Sequence, residues 1–220
     1  MSNTPNPIPV IAIDGPSASG KGSVAERVAE QLGFHYLDSG AIYRIVAYAS
    51  QQNSIAWHKA ADIANLAKTL EIAFVHGEIL LNGQNVSAAV RSEAMGRGAS
   101  EVAVHPAVRE SLMDLQKNFR KAPGLVADGR DMASVVFPDA VLKIFLTASV
   151  EVRANRRYQQ LLNRGLQADF NTILNDLKER DLRDSQRSAA PLKQMPDALL
   201  LDTTNKTIQE AVDFILNNYS

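Results

Sequence analysis

The sequence predicts an α/β fold: a parallel sheet flanked by helices, with a small antiparallel insert and an arginine-rich helical lid. Three observations predict it. Short apolar runs rich in β-branched residues alternate with segments of helical spacing, which is the pattern of strands buried on both faces. One internal segment instead alternates apolar and polar residues around Asn82-Gly83, the dipeptide most favoured in tight hairpins. The third is a run of arginines from 153 to 187 set on two helical patterns.

Taken in order, Ile8 to Ile13 is the first strand and Gly22 to Leu32 the first helix, joined by a glycine-containing loop. Phe34 to Leu37 is a second strand, after which Ser39 is suited to cap a helix. The insert pairs Ile72 and Phe74, across a turn at His76-Gly77, with Ile79 to Leu81, and then Gln84 to Val86 beyond Asn82-Gly83. Strands follow at Leu125 to Ala127, Val141 to Leu146 and Ala198 to Leu201. The arginine-bearing helices are joined near Asn163 to Asp169, where Gly165 supplies a turn. This reads as a single domain, with a core at about 8–60 and 122–220, an insert at about 61–121 and a lid at about 153–187.

Composition excludes several classes. With 220 residues and 45% hydrophobic content the chain can bury a sizeable core, and a formal net charge of −1 gives no overall attraction to nucleic acid or anionic lipid. There are no cysteines, so disulfides, thiolate zinc sites and cysteine nucleophiles are out. The polar, proline-rich start from Met1 to Pro9 has no secretory character and reads as a frayed tail. Pro138, Asp139 and Lys143 interrupt the most apolar region, Val135 to Val150, which is too short to span a bilayer. A cytoplasmic protein is expected. His35, His58, His76 and His105 lack metal-ligand spacing, and Trp57 reads as a packing residue.

Chemistry first shows in Gly15-Pro16-Ser17-Ala18-Ser19-Gly20-Lys21, which has the spacing G-x-x-x-x-G-K directly between a buried strand and a helix. In that context the glycines let successive N–H groups turn inward, and the helix start adds partial positive charge toward a bound phosphate. Lys21 supplies a point charge for the β- and γ-phosphates. A hydroxyl residue ordinarily follows the lysine directly; here Gly22 intervenes and Ser23 carries the hydroxyl expected to orient Mg²⁺ or its waters.

Further phosphate partners are placed by spacing. Arg44 lies one helical turn beyond Gly40, where it can meet an anion at the helix start, although a plain capped helix would look the same. Asp128-Gly129-Arg130-Asp131 follows an apolar strand, at the end of a parallel sheet where ligands bind. Arg153, Arg156, Arg157, Arg164, Arg180, Arg183 and Arg187 outnumber the one lysine of their segment, Lys178, and arginine offers a planar fork for phosphate oxygens. Arg180, Arg183 and Arg187 share a helix face with Asp184 beside them. Asp176 with Arg180 and Glu179 with Arg183 are also spaced to stabilise an ordinary surface helix.

Together these segments resemble the bacterial cytidylate kinases, of the P-loop nucleoside monophosphate kinases, along essentially the whole chain. The segments are Gly15 to Ser23, Leu37 to Arg44, Ala127 to Asp131, Val136 to Ala140 and Lys178 to Asp181, with the antiparallel insert. The resemblance implies phosphorylation of CMP, and of dCMP, by ATP with Mg²⁺, in a monomer that binds neither nucleic acid nor membrane. It implies that Ser39, Arg44 and Arg130 hold the acceptor phosphate, and that Ser100, Arg109, Asp131 and Arg187 surround the cytosine. Arg180 and Asp184 would reach the ribose, with Arg153, Arg156 and Arg157 at the phosphates. Lys21, Arg130, Arg153 and Arg157 are then the catalytic set. A kinase for UMP, AMP or dTMP shares the loop and lid. A GTP-binding switch fits poorly, because Asn205-Lys206-Thr207-Ile208 lacks the carboxylate of Asn-Lys-x-Asp. A nucleotide-binding module without catalysis would have little use for so many arginines.

Overall fold

The computed structural model describes residues 8–75 and 78–219. Two compact units emerge, one from the segments up to Leu37, Lys117–Gln186 and Ala190 onward, the other from Asp38–Gln116 with Arg187–Ala189.

In the first unit, β1 (Val10–Asp14) leads through the glycine loop into α1 (Lys21–Leu32) and β2 (His35–Asp38). After the second unit come β6 (Leu125–Gly129), a π-helical turn (Met132–Val136), β7 (Leu142–Thr147), α8 (Val150–Leu162), α9 (Phe170–Gln186), β8 (Leu199–Asp202) and α10 (Ile208–Tyr219). The five strands run in the order β2-β6-β1-β7-β8. β1 lies at the centre, parallel to β6 on one side and to β7 on the other, and β7 is parallel to β8. Ile11, Ile13, Val126, Ile144 and Leu146 of these strands pack with Val24, Ala25 and Val28 of α1 and Ala211, Val212 and Ile215 of α10. This apolar layer is why the strands read as near-continuous hydrophobic runs. It fixes the carboxyl end of β1, where the glycine loop begins.

The second unit holds α2 (Ser39–Gln52), α3 (Ala60–Ala67), β3 (Ile72–Val75), β4 (Glu78–Leu81), β5 (Gln84–Asn85), α4 (Ser87–Val90), α5 (Glu93–Val102), α6 (Pro106–Ser111) and most of α7 (Met113–Lys117). β3, β4 and β5 form an antiparallel sheet, as the alternation at Ile72 and Phe74 predicts. Asn82 and Gly83 both take positive φ, 49° and 79°, the conformation of a hairpin turn of type I′. The expected turn at His76-Gly77 and residues 1–7 of the expected tail from Met1 to Pro9 lie outside the described residues, whereas Ile8 and Pro9 are not frayed: their carbonyls accept from Arg120 Nε at 2.7 Å and from the Leu125 N–H at 3.0 Å. Ile79, Leu81, Val86 and Val90 pack on Ala41, Ile45 and Ala49 of α2, so the small sheet braces the helix that carries Arg44.

Three further expectations are corrected. β6 does not stop at Ala127: Asp128 and Gly129 are its last residues, in register with Ile13 and Asp14. Backbone pairing with a central strand continues regardless of side-chain polarity. The cap of α2 is Asp38 rather than Ser39, for its Oδ1 accepts from the Ala41 N–H at 2.9 Å, while Ser39 is the first helical residue. Arg187 lies just beyond α9, which ends at Gln186, so it does not continue the helix face of Arg180 and Arg183.

Candidate active site

The glycine loop is shaped by backbone that few residues tolerate. Ala18 and Gly20 both take left-handed φ, 59° and 92°. A Cβ at Gly15 would lie 1.9 Å from the Leu146 carbonyl oxygen of β7, so any side chain there would displace the strand. Gly20, the cap of α1, has no side chain to cover the helix start, which is the end of a helix that favours an anion. The Ser19 hydroxyl is buried and makes no hydrogen bond among the described residues, a donor well suited to a phosphate oxygen.

Gly22, the residue that separates Lys21 from Ser23, has a local cause. A Cβ there would sit 3.2 Å from an Asp128 carboxylate oxygen and 3.5 Å from the Tyr36 hydroxyl. Glycine therefore lets α1 approach the buried carboxylate at the end of β6. The departure from lysine-hydroxyl spacing is a packing adjustment that passes the hydroxyl to Ser23, exposed on the first turn of α1.

Three arginines, from β6's carboxyl end and from α8, converge on this loop. Arg130 donates from Nη2 to Ser17 Oγ at 2.7 Å, and from Nε to Asp184 Oδ2 at 2.9 Å. Arg153, only 4% exposed, donates from Nη1 to the Ser17 carbonyl at 3.1 Å. Arg156 donates to the Ser19 carbonyl at 3.0 Å and, from Nη2, to the Thr203 carbonyl at 2.6 Å. Burial pushes the Arg156 guanidinium below its usual value. Arg157 is half-buried and bonds to Gln160 Oε1, while Arg164 is exposed. Asp184 is buried under Arg130, and Arg180 is half-buried one turn before it on α9.

Asp14 and Asp131 lie where β1 and β6 end. Asp131 is buried and immediately precedes the π-helical turn. Asp14, 3% exposed, accepts from the Met132 N–H at 2.8 Å and the Ala133 N–H at 2.9 Å, one bond to each carboxylate oxygen. It thereby ties the strand that leads into the phosphate loop to the turn after Asp131. Nothing local marks it in the sequence, because the residues it binds are 118 and 119 positions away.

Burial pushes the Asp14 carboxyl from its ordinary value near 3.8 up to about 6; the two amide bonds pull the other way, and the Asp131 charge adds to the rise. The folded state therefore holds this proton more tightly than the unfolded chain does. Its contribution favours the fold below about pH 3.8 and is lost as pH climbs through about 6. Asp14→Asn cannot ionise. Measured by denaturant unfolding from pH 4 to pH 7, the stability gap between wild type and variant should move in the variant's favour by on the order of 3 kcal/mol. A gap that does not change with pH contradicts the assignment.

In the second unit, Ser39 Oγ donates to Gln116 Oε1 at 2.7 Å, and both residues are buried. Arg44 donates from Nη1 toward the Val90 and Ser92 carbonyls at 3.4 and 3.3 Å, its guanidinium lying over Gly96 of α5. Arg109 is buried, donates to the Ala103 carbonyl at 3.2 Å, and stacks on the Tyr43 ring at 5.6 Å. Ser100 is buried on α5, and Arg187 is half-buried. Tyr43 and Gln116 are thus structural partners of expected site residues that the sequence did not single out. Among the described residues no group of three or more His, Cys, Asp or Glu could hold a metal ion, and no helix is long and apolar enough to cross a membrane.

A strand, a glycine loop that opens directly into a helix, and arginines converging on that loop define a P-loop phosphotransferase fold. The family model for cytidylate kinase matches residues 11–220, and the chain belongs to that family. It is similar to a cytidylate kinase of Polynucleobacter necessarius subsp. necessarius (strain STIR1), 54% identical over 211 residues that cover 96% of this chain and 98% of the relative. A cytidylate kinase of Burkholderia cenocepacia (strain HI2424) is 55% identical over 214 residues, 97% of this chain and 94% of the relative. Among solved structures, an uncharacterized protein from Eubacterium ventriosum ATCC 27560 shares the fold at a TM-score of 0.51 and 14% identity, covering 96% of this chain and 97% of that one.

Proposed function

We infer that this chain transfers the terminal phosphate of ATP to CMP, and also to dCMP. The observation that carries the reading is the glycine loop with Arg130, Arg153 and Arg156 hydrogen-bonded to it and the Ser19 hydroxyl left over for a ligand. The loop residues Gly15 to Ser23 would cradle the ATP phosphates, and Lys21, Arg130, Arg153 and Arg157 would neutralise the phosphoryl group as it moves. No side chain needs to form a covalent intermediate, because the two nucleotides need only be held in line.

Ser39, Arg44 and Arg130 would hold the acceptor phosphate, Ser100, Arg109, Asp131 and Arg187 the cytosine, and Arg180 and Asp184 the ribose. Mg²⁺ would neutralise the ATP phosphates, held through Ser23, whose place exposed on the first turn of α1 suits a hard cation that arrives with its nucleotide and keeps most of its waters. The protein acts as a monomeric, single-domain enzyme of the cytoplasm, with no nucleic-acid or membrane partner.

Initial rates with ATP and each of CMP, dCMP, UMP, AMP and dTMP test the reading. CMP should give the highest kcat/KM, and a higher value for UMP, AMP or dTMP would overturn it.

A further inference from the structure

Within Lys178-Glu179-Arg180-Asp181, neither the sequence nor the proposed mechanism gives Asp181 a task. Asp181 is 29% exposed at its side chain and lies on α9, facing Arg153 of α8. Its Oδ2 accepts from Arg153 Nη2 at 2.5 Å and its Oδ1 from Arg153 Nη1 at 3.2 Å, a two-pronged pairing of fork and carboxylate. The same guanidinium is gripped twice more, by the Ala148 carbonyl at Nε (3.0 Å) and by the Ser17 carbonyl at Nη1 (3.1 Å). Arginine carries five N–H bonds in one plane. Four are taken by these partners, and one Nη2 N–H remains uncommitted among the described residues.

A freely rotating arginine beside the phosphate loop would have to be ordered during the reaction, whereas one clamped in its plane presents its remaining N–H in a fixed direction. Two of the three clamps are backbone carbonyls, which no side-chain change removes. The Asp181 pair is the one clamp made by a side chain, and it closes the outer edge of the fork.

We propose that Asp181 is a positioning residue for phosphoryl transfer, holding the Arg153 guanidinium in one plane against the phosphate loop at Ser17 so that its charge and its remaining N–H keep a fixed place during the transfer. The proposal rests on the reading that the glycine loop carries the ATP phosphates, but not on which nucleotide is the acceptor. A plain interhelical ion pair would use the same two residues to hold α9 against α8, and the two roles differ in what they change.

The test compares Asp181→Asn, Asp181→Glu, Arg153→Lys and the double variant Asp181→Asn/Arg153→Lys. Asn keeps one acceptor oxygen but turns an NH₂ toward the fork. For Asp181→Asn, kcat with CMP should fall by about 10- to 100-fold, while KM for ATP and CMP stays within about threefold. Asp181→Glu, which keeps the charge, should recover part of the loss. In the Arg153→Lys background Asp181→Asn should cost less than about twofold, because the group it positions is already gone. Slow transfer to water, measured with ATP alone, should fall by the same factor as transfer to CMP. That last measurement separates this proposal from the choice of acceptor. The proposal is overturned if Asp181→Asn retains kcat within twofold of wild type, if its effect is undiminished beside Arg153→Lys, or if only the transfer to CMP falls. A variant with lowered Tm and unchanged kcat shows an ion pair that serves stability alone.

Discussion

Lys21→Ala should yield a folded protein whose kcat for transfer to CMP is lower by about 10²- to 10³-fold. Lys21 is the first residue of α1, directly after the left-handed Gly20, so its side chain starts where the loop opens into the helix. Alanine is the best helix former, and the apolar layer under α1 is built from Val24, Ala25 and Val28, none of which depends on Lys21. The loss should therefore fall on charge neutralisation in the transition state rather than on folding. Steady-state kinetics beside a thermal melt separate the two. A kcat within a few-fold of wild type would remove Lys21 from the mechanism, and a collapsed Tm would show that the residue is structural.

Asp131→Ala should reduce kcat/KM for CMP strongly and compress the ratio of CMP to UMP turnover. Asp131 is 3% exposed, so its carboxylate interacts in a low-dielectric setting where a matched donor counts for much and an opposed acceptor is costly. Cytosine presents an amine where uracil presents a carbonyl oxygen, and a carboxylate accepts from the first and repels the second. Sites built to pair a buried polar group reject the mismatched analogue by about 10⁴-fold or more. Removing the carboxylate removes both the attraction and the repulsion, so the CMP rate falls far more than the UMP rate. The backbone carbonyl of Asp131, which accepts from Val135 and Val136, survives the substitution, so the π-helical turn keeps its bonds. Arg44→Ala provides the contrast: assigned to the shared phosphate, it should weaken both acceptors alike. An unchanged CMP-to-UMP ratio in Asp131→Ala would place base recognition elsewhere.

What the sequence disclosed is what short spacing encodes. The phosphate loop, the Asn82-Gly83 hairpin and the loop from 163 to 169, where Gly165 takes φ 72°, each depend on residues within one turn of one another. The cap of α2 was misplaced by one position because Asp38 and Ser39 are both good capping residues, and only the backbone angles separate them. The pairs that organise the arginines were out of reach: Arg130 with Asp184 spans 54 residues and Arg153 with Asp181 spans 28. The i, i+4 partners of Arg180 and Arg183 were visible as spacing, whereas these tertiary partners form only once α8, α9 and β6 are packed. Asp128 behind Gly22 is the same case in reverse, since the glycine was legible as a departure and its cause was not.

Trp57, the chain's only tryptophan, belongs to the second unit. Its indole donates to the Ala47 carbonyl of α2 at 3.0 Å, and the ring faces Gly98 of α5 so closely that a Cβ at that glycine would lie 2.5 Å from it. α2 bears Ser39 and Arg44, and α5 bears Ser100. The protein thus contains a single tryptophan, excitable apart from its five tyrosines and wedged between the two helices assigned to the acceptor nucleotide. Its emission should respond when these two helices move against each other, while the unit that carries the phosphate loop contributes no tryptophan signal, so one optical channel follows the acceptor side of the reaction and leaves the donor side dark.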